Sequence, residues 1–405
     1  MKQTIITILL LSVSVGAFSQ AQSFTEAVRE GLSPLTNLLS GERSDSLSST
    51  TAQPSSTGEV VTLTLRDGAV YVGEVKGRKP HGNGKITYAN GDTYDGEFKK
   101  GARHGKGVYR FSDGEWYEGD FFEGRQHGKG IYHFANGNVY NGDWDNDFQH
   151  GYGRMDYHNG DIYVGAWSYD MRSGSGSYFY TGGASYAGEW KDDMRNGLGT
   201  FIWADNSKYV GDWADNRRHG NGKFISADST VYEGEWANNQ CNGYGKYIFT
   251  SGDVYEGMFL NDTWHGEGKY TFADGAVYEG AFQNGMRHGT GKMLFANGAV
   301  YEGGWKNNKR SGNGVYTWAN GDVYEGEWEN DMMHGAGILR LASGIKYRGG
   351  FMNGREHGAG VAVDSDGTRY EGTFVDGQRD GRFVVKNAEG EVIRECVYNS
   401  GHLEQ

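Results

Sequence analysis

The sequence predicts an all-β protein, an elongated single-sheet antiparallel array of tandem β-hairpins, and three observations support this prediction. A tyrosine recurs every 23 residues from Tyr71 to Tyr370, fourteen times without a slip. Each repeat alternates apolar and polar residues on both sides of a short turn rich in Asn and Gly, a pattern typical of a hairpin. The 405 residues include 68 Gly and only 3 Pro, yet 14% of them are aromatic, which favours tightly turning β-structure over disorder.

The segment before the repeats has the pattern of a signal peptide and a tether. In residues 1–19, Lys2 precedes an apolar run from Ile5 to Val15 that is too short to cross a bilayer, and Ala17-Phe18-Ser19 fits a cleavage site. Residues 20–58 combine a short amphipathic, helix-like pattern with a Ser/Thr-rich linker. We therefore expect export to the periplasm or the extracellular space, and no transmembrane segment in the mature chain.

Each unit of the predicted array, residues 59–382, contains one hairpin and a connection to the next. In one unit, alternate residues of Ile86–Tyr88 and Tyr94–Phe98 share a side, with Asn90-Gly91 between them. We expect the glycine two residues after each Tyr to leave room for an adjacent ring. In the connection, the position of Asp331 is Gly, Asp or Asn in thirteen of fourteen copies, which predicts a left-handed backbone conformation there.

The two ends of the array are predicted to be caps. Terminal units of repeat proteins are atypical, because they shield strand edges that would otherwise be exposed. Residues 383–405 form the predicted C-terminal capping hairpin and tail. Aliphatic residues replace the rings at both ends, namely Leu63, Leu65 and Val75 in the first hairpin and Val385, Ile393 and Val397 in the last.

The units resemble the MORN repeat, a 23-residue motif of the form Y-x-G-x-[WF] followed by G-x-G, as in GDVYEGEWENDMMHGAG from Gly321 to Gly337. The resemblance extends from Val60 to about Val397. It implies a single-sheet β-structure with a groove along one face. It also implies a scaffold that binds partner proteins, associates with itself or lies near membranes. No catalytic domain accompanies the repeats, so we expect no enzyme.

Charge and motifs argue against several classes of function. The net charge of −13 opposes binding to nucleic acid, which rewards clustered Lys and Arg. The G-x-G pairs lack the helix and Lys-Ser/Thr of a phosphate loop, so no cofactor is expected. Histidine occupies one position in nine units, but copies about 10 Å apart are too distant to share a metal ion. Bracing of a nearby turn explains this position better, since Ser, Asn and Asp also occur there. No catalytic or metal-binding residues are predicted.

Two columns of side chains are the candidate interaction surface. The first is an aromatic column, which either forms the core between repeats or lines a groove that could stack a peptide or glycan. Its tryptophans are Trp144, Trp167, Trp190, Trp213, Trp236, Trp305 and Trp328. The second column is a rim of arginines that a lipid headgroup could bind, although ordinary solubilising charge explains it more simply. The rim contains Arg103, Arg195, Arg217, Arg218, Arg287 and Arg310.

The sequence therefore predicts a non-catalytic exported scaffold that presents a repeated β face to protein partners or to itself. Envelope ligand binding is the alternative, with lipid headgroups on the arginine rim or a glycan on the aromatic column. The two cysteines, Cys241 and Cys396, lie about seven repeats apart, and neighbouring repeats contact only each other. We therefore expect two free thiols.

Overall fold

The computed structural model of the chain describes residues 59–404, and within this range it is entirely β-structure. Thirty-one strands form one sheet in which each strand pairs antiparallel with the strand before it and the strand after it. The prediction of a single antiparallel sheet of tandem hairpins is confirmed. The predicted signal peptide and tether lie outside the described residues. Among those residues, no helix has the length and apolarity needed to cross a bilayer.

The strands follow one another along the chain with little between them. Their bounds are β1 Val60–Thr64, β2 Val70–Lys76, β3 Lys79–Thr87, β4 Thr93–Lys99, β5 Ala102–Arg110, β6 Trp116–Phe122, β7 Arg125–His133, β8 Val139–Asp145, β9 Phe148–Asp156, β10 Ile162–Ser168, β11 Met171–Phe179, β12 Ser185–Lys191, β13 Met194–Ile202, β14 Lys208–Ala214, β15 Arg217–Ile225, β16 Val231–Ala237, β17 Gln240–Ile248, β18 Val254–Leu260, β19 Thr263–Thr271, β20 Val277–Gln283, β21 Met286–Leu294, β22 Val300–Lys306, β23 Lys309–Thr317, β24 Val323–Glu329, β25 Met332–Arg340, β26 Lys346–Met352, β27 Arg355–Val363, β28 Arg369–Val375, β29 Gln378–Lys386, β30 Val392–Asn399 and β31 His402–Glu404.

The Asn-Gly connection is a three-residue loop. The Tyr88 N–H donates to the Asp92 carbonyl at 2.9 Å, and the Gly91 N–H donates to the Tyr88 carbonyl at 3.0 Å. Gly91 has φ of 93°, so the loop is a tight turn followed by one left-handed residue. Where other residues replace this glycine, Asn206 and Ser229 keep the same conformation, with φ of 67° and 72°.

The other connection is the tighter of the two. Asn330 and Asp331 both have positive φ, 50° and 71°, which matches a two-residue turn of type I′. The left-handed conformation predicted at Asp331 is confirmed. The pairing of β24 with β25 shifts register at Glu327, and the Glu327 carboxylate accepts the Ala336 N–H at 3.1 Å. The acid after the glycine therefore braces a bulge next to the turn.

Tyrosines and their aromatic neighbours form a continuous core on one face of the sheet. Tyr140 is fully buried and stands edge-on between Trp144 of its own repeat and Trp167 of the next, with ring centroids 5.3 Å away on each side. Its hydroxyl donates to the Asp143 carbonyl at 3.0 Å. This arrangement recurs along the array, so each hairpin completes the core of its neighbour.

Glycines allow the tyrosine rings to lie flat against the sheet. Gly96 and Gly107 are directly opposed across β4 and β5. A Cβ on Gly96 would lie 2.5 Å from the Gly107 Cα and 2.7 Å from the Tyr94 hydroxyl. The glycine after each tyrosine thus makes room for the ring of its own repeat and for the opposing strand, rather than for a ring of the adjacent repeat.

The C-terminal cap differs from its prediction. Val385 is buried, but Ile393 and Val397 are 59% and 40% exposed. The pairing of β29 with β30 shifts register after Val385. Because of this shift, Tyr398 faces the core in place of Val397. Tyr398 consequently packs edge-on against Phe383 at 5.2 Å. At the other end, the first hairpin packs on the core as predicted, through Leu63, Leu65 and Val75.

Candidate interaction surfaces

The two faces of the sheet carry different side chains. The aromatic face carries the repeated tyrosines together with the Trp or Phe four residues later and the residue nine positions after each tyrosine, such as Arg172. The opposite face carries the residues between them, since successive side chains of a strand point to opposite sides. On each face, side chains at equivalent positions of successive strands line up as a row across the sheet.

The tryptophans of the candidate surface are core residues. All seven are 4–5% exposed. Each indole also donates its N–H to the carbonyl of a glycine in the preceding strand, as Trp144 does to Gly130 at 3.2 Å and Trp328 to Gly314 at 3.2 Å. These rings therefore stabilise contacts between repeats. They do not line a groove with their faces, and the glycan hypothesis loses the exposed rings on which it rested.

Most of the arginine rim also serves the chain itself. The Arg195 guanidinium carbon lies 4.4 Å from the ring centroid of Trp213 in the next repeat, and its Nη2 donates to the Asn216 carbonyl at 3.1 Å. Arg218, Arg287 and Arg310 make equivalent contacts, 4.1–4.5 Å above a tryptophan. We call this arrangement the arginine clasp. Burial lowers the pKa of Arg195, Arg218 and Arg287 below the ordinary value for arginine.

The two remaining rim residues differ from the clasp. Arg103 lies 4.5 Å from the Tyr109 ring centroid and donates to the Gly124 carbonyl at 3.1 Å, with no carboxylate or amide at that turn position. Arg217 is exposed, and its Nη1 lies 3.4 Å from the Asn238 amide oxygen. The sequence grouped these residues as one rim, but the structure places only Arg217 on the opposite side of the strand from the clasp.

The histidine column lies beside the tight turns. His81 accepts the Lys100 N–H at 3.5 Å, and Asn196 at the equivalent position lies 3.4 Å from the Asp215 carboxylate. Both contacts reach the turn of the next repeat. Within residues 59–404, no group of three or more His, Cys, Asp or Glu is placed to hold a metal ion.

Both cysteines are free, and burial raises the pKa of the Cys241 thiol to about 12.

Glutamine replaces the clasp arginine in two consecutive repeats, while other residues, such as Cys241 and Trp264, replace it elsewhere. Gln126 and Gln149 occupy the positions that arginine takes in Arg103 before them and Arg172 after them. An open groove of about 830 Å³ lies over this part of the aromatic face, between Arg103 and Arg172. Aromatic rings from the loop side of the hairpins form one wall, including Tyr132 and Phe134.

The opposite face carries a partly exposed, largely apolar row over ten strands, from β15 to β24. Its members are directly opposed in consecutive strand pairs, so that the row is continuous. They are Ile225, Val231, Ile248, Val254, Thr271, Val277, Leu294, Val300, Thr317 and Val323. Ile225 and Ile248 are each 37% exposed and Leu294 is 42% exposed, so the row is a surface and not a second core.

A charged row runs beside this apolar row. Lysine and glutamate alternate from strand to strand, starting with Lys223 opposite Glu233 and ending with Lys292 opposite Glu302. The ammonium and carboxylate groups of these two pairs lie 3.1 Å and 3.4 Å apart. The alternation makes the row electrically neutral overall while presenting both signs of charge at fixed spacing.

A family model for the MORN repeat matches fourteen consecutive segments that together span residues 71–382. The chain belongs to the MORN-repeat family. MORN repeats are generally modules for interaction with proteins or lipids, and the family is generally non-enzymatic. The recognition made from the sequence is therefore confirmed.

Comparisons with individual proteins add no functional argument for this MORN-repeat chain. No curated protein matches it. The TCP domain of SAS-4 from Drosophila melanogaster, in complex with a proline-rich motif of Ana2, is 15% identical; the match covers 43% of this chain and 83% of that one, with a TM-score of 0.23. The TCP10 domain of CPAP from Danio rerio is 11% identical, with 61% and 94% covered and a TM-score of 0.20. Virginiamycin B lyase from Staphylococcus aureus is 13% identical, with 79% and 96% covered and a TM-score of 0.12.

Sequence reasoning did not single out the groove or the apolar row. Both are visible once the position within the repeat is fixed: Gln126 and Gln149 interrupt a column of arginines, and isoleucine or valine recurs immediately outside the aromatic columns from Ile225 onward. What was missing was the orientation of each column, which depends on strand pairing. The bulge beside each tight turn changes which residues share a face, and the sequence does not reveal it.

Proposed function

We propose that this MORN-repeat protein is an exported, non-catalytic scaffold that presents its repeated β faces to protein partners or to further copies of itself. The observation that carries the proposal is the apolar row from Ile225 to Val323 with the alternating charged row beside it. Continuous exposed apolar surface rimmed by polar groups is typical of an interaction site. The ordered array keeps that surface in register over ten strands.

Self-association is the version that the charged row favours. Glutamates and lysines alternate across successive strands, so two copies that meet face to face can oppose unlike charges throughout. A symmetric pair of this kind uses the same patch on both molecules. The apolar row beside it supplies the surface that is removed from water.

Sedimentation of the full chain tests the scaffold. We expect a dimer or larger assembly that dissociates when Ile248, Val254 and Val277 are all replaced by Thr. Thr271 and Thr317 already occupy this row, so threonine is compatible with the strands. Ile162→Thr is the matched control, because it lies on the same face but outside the row and should leave the assembly intact. A strictly monomeric parent chain that also crosslinks to no envelope protein would contradict the proposal.

Export rests on the pattern of the first nineteen residues. We expect the mature chain to begin at Gln20, after the Ala17-Phe18-Ser19 site. Mass spectrometry of the N-terminal peptide from fractionated cells measures this directly. Recovery of the uncleaved chain from the cytoplasmic fraction alone would count against export while leaving the scaffold untouched.

Envelope ligand binding is less well supported than the scaffold. Lipid headgroups would require free guanidinium groups, and those of Arg195, Arg287 and Arg310 already donate to the next repeat. Arg217 is the exposed rim residue that remains for such a role. Sedimentation with anionic vesicles, comparing the parent with Arg217→Gln, tests this alternative directly.

A further inference from the structure

The arginine clasp shows what the aromatic face binds at this position. In the clasp of Arg172, the guanidinium carbon lies 4.4 Å from the Trp190 ring centroid, and Nε and Nη2 donate to the Asp193 carboxylate and carbonyl, both at 2.9 Å. The surroundings are therefore an aromatic ring together with two oxygen acceptors from the next turn. Such surroundings suit a planar cation, which can stack and donate hydrogen bonds at the same time.

Gln126 and Gln149 leave this arrangement incomplete. Their side chains are shorter than arginine, uncharged and buried, with 8% and 4% of the residue exposed. Both line the groove, and no hydrogen bond joins either side-chain amide to another described residue. Both amides are therefore available to donate to, and accept from, a ligand in the groove.

The acceptors of the clasp are still present beside both glutamines. Asp147 and Asp170 hold the turn positions equivalent to Asp193, and each carboxylate accepts a backbone N–H, from Gln126 at 2.7 Å and from Gln149 at 2.8 Å. No described lysine or arginine pairs with either carboxylate. The groove therefore has two carboxylates without a cationic partner, whereas the following repeat has the Arg172–Asp193 pair.

We propose that this groove binds arginine side chains from an extended segment of a partner protein. The two sites lie one repeat, or two strands, apart, which is roughly 10 Å. An extended chain in the polyproline II conformation advances roughly 3.1 Å per residue with three residues per turn, so arginines three residues apart lie on the same side and match the spacing. Tyr132, Phe134 and Tyr157 line the groove beside them and provide rings for the alkyl stems and the guanidinium planes. This inference depends on the scaffold function and adds the chemistry of one partner.

Binding to a defined peptide tests the inference. The probe is a dye-labelled hexapeptide, Ala-Arg-Ala-Ala-Arg-Ala, blocked at both ends and titrated into the full chain while fluorescence anisotropy is recorded. We expect saturable binding that weakens at least tenfold when citrulline, which keeps the shape but lacks the charge, replaces both arginines. Equal binding of the citrulline peptide, or no binding of the arginine peptide, overturns the inference.

Variants of the chain locate the site. Gln126→Arg with Gln149→Arg supplies the missing cations internally, and we expect it to abolish binding. Asp147→Asn with Asp170→Asn removes the charge but keeps an acceptor for the backbone N–H, as Asn216 does for Arg195 at 2.9 Å. We expect at least tenfold weaker binding. Asn216→Asp is the control outside the groove and should leave the affinity unchanged.

Two further outcomes separate the inference from its alternatives. If both glutamine substitutions leave arginine-peptide binding unchanged, the groove is not the site and the inference is wrong. A different result would assign the groove to glycan and also overturn the inference. In that case a neutral oligosaccharide binds the parent chain but not the glutamine variants, and the arginine peptide binds neither. The threonine variants of the apolar row should keep peptide binding, so failure in the groove and failure of self-association are distinguishable.

Discussion

The repeats around Gln126 and Gln149 and those from Arg195 to Arg310 share one core but differ in what covers it. Tyr140 and Tyr301 are both fully buried and both stand edge-on between two tryptophans. Over the second stretch, arginines clasp the next repeat at four of six positions, with Cys241 and Trp264 at the other two, whereas the first stretch has two glutamines and an open groove. We refer to these stretches as the open segment and the clasped segment.

The opposite face changes in a corresponding way. Behind the clasped segment, the apolar row continues without a break from β15 to β24 and the charged row from β15 to β22. Behind the open segment, the equivalent apolar position is occupied by Trp116, His133, Val139 and Asp156 in turn. Packing between repeats thus fixes the core positions, while the covering positions vary and can specify different partners in the two segments.

The largest expected effect tests whether the two cores are equivalent. A Cβ on Gly153 would lie 2.5 Å from Tyr140 Cε2, and one on Gly337 would lie 2.6 Å from Tyr324 Cε2. We expect Gly153→Ala and Gly337→Ala each to lower the free energy of unfolding by about 3 kcal/mol, because the ring cannot move aside in a packed core. Thermal and urea unfolding measure the loss.

The control for these glycines lies in a hairpin loop. Gly182 has no atom within 4 Å of an added Cβ, so Gly182→Ala should change the stability by less than about 0.5 kcal/mol. A large loss at Gly337 with little loss at Gly153 would mean that the open segment has a looser core. The comparison of identical cores would then be wrong.

A smaller effect is expected from exchanging the covering residues. Arg310 lies 4.2 Å from the Trp328 ring centroid and donates to the Asp331 carbonyl at 2.7 Å. Arg310→Gln should therefore destabilise the clasped segment by about 1 kcal/mol. Gln126→Arg should stabilise the open segment by a similar amount, because Trp144 and Asp147 are already in place. Hydrogen exchange in each segment measures the two changes in stability separately. If both substitutions stabilised their segment, or both destabilised it, the clasp would be contradicted.

Much of this fold could be predicted from the sequence because one unit is repeated fourteen times. The spacing from Tyr71 to Tyr370 leaves a single register for the array, and the restricted residues at Asp331 predict its left-handed turn. The last hairpin shows where that reasoning stops. Counting 23 residues on from Tyr370 gives Ile393 and, four residues later, Val397, yet both are exposed, and a register shift after Val385 makes Tyr398 the core residue instead of Val397.

The candidate surface was harder to predict than the fold. The tryptophans were recognised as a column, but their burial depends on the neighbouring repeat covering them, which is a tertiary contact. The arginines were read as one solvated rim because the sequence does not show that the tight turn places Arg218 against Trp236 and Arg217 on the other side. A column of charges therefore identifies a repeated role without identifying the face that performs it.

The smallest expected effect concerns acid, and it contrasts hairpin ends that carry Asp with hairpin ends that carry Ala. The pKa of Asp92 lies below its usual value mainly because its carboxylate accepts a hydrogen bond from the Tyr109 hydroxyl at 2.7 Å. The Ser112 N–H, which donates at 2.9 Å, lowers the pKa further, whereas burial acts in the opposite direction. A carboxylate whose pKa is lower in the folded chain contributes stability above its unfolded pKa of roughly 3.9. That contribution is lost as the pH falls through the folded value. Ala276 and Ala299 occupy the same position in later repeats and cannot titrate.

We therefore expect the N-terminal repeats to lose hydrogen-exchange protection before the repeats around Ala299 as the pH is lowered from 6 toward 3. Asp92→Asn should remove part of this difference, since Asn138 at the equivalent position still accepts the His158 N–H at 2.9 Å. The variant should also be slightly less stable than the parent at pH 6, because a neutral amide accepts the Tyr109 hydrogen bond less strongly than a carboxylate. Equal acid sensitivity in parent and variant would show that the Asp92 contact holds the next repeat through geometry alone and not through its charge.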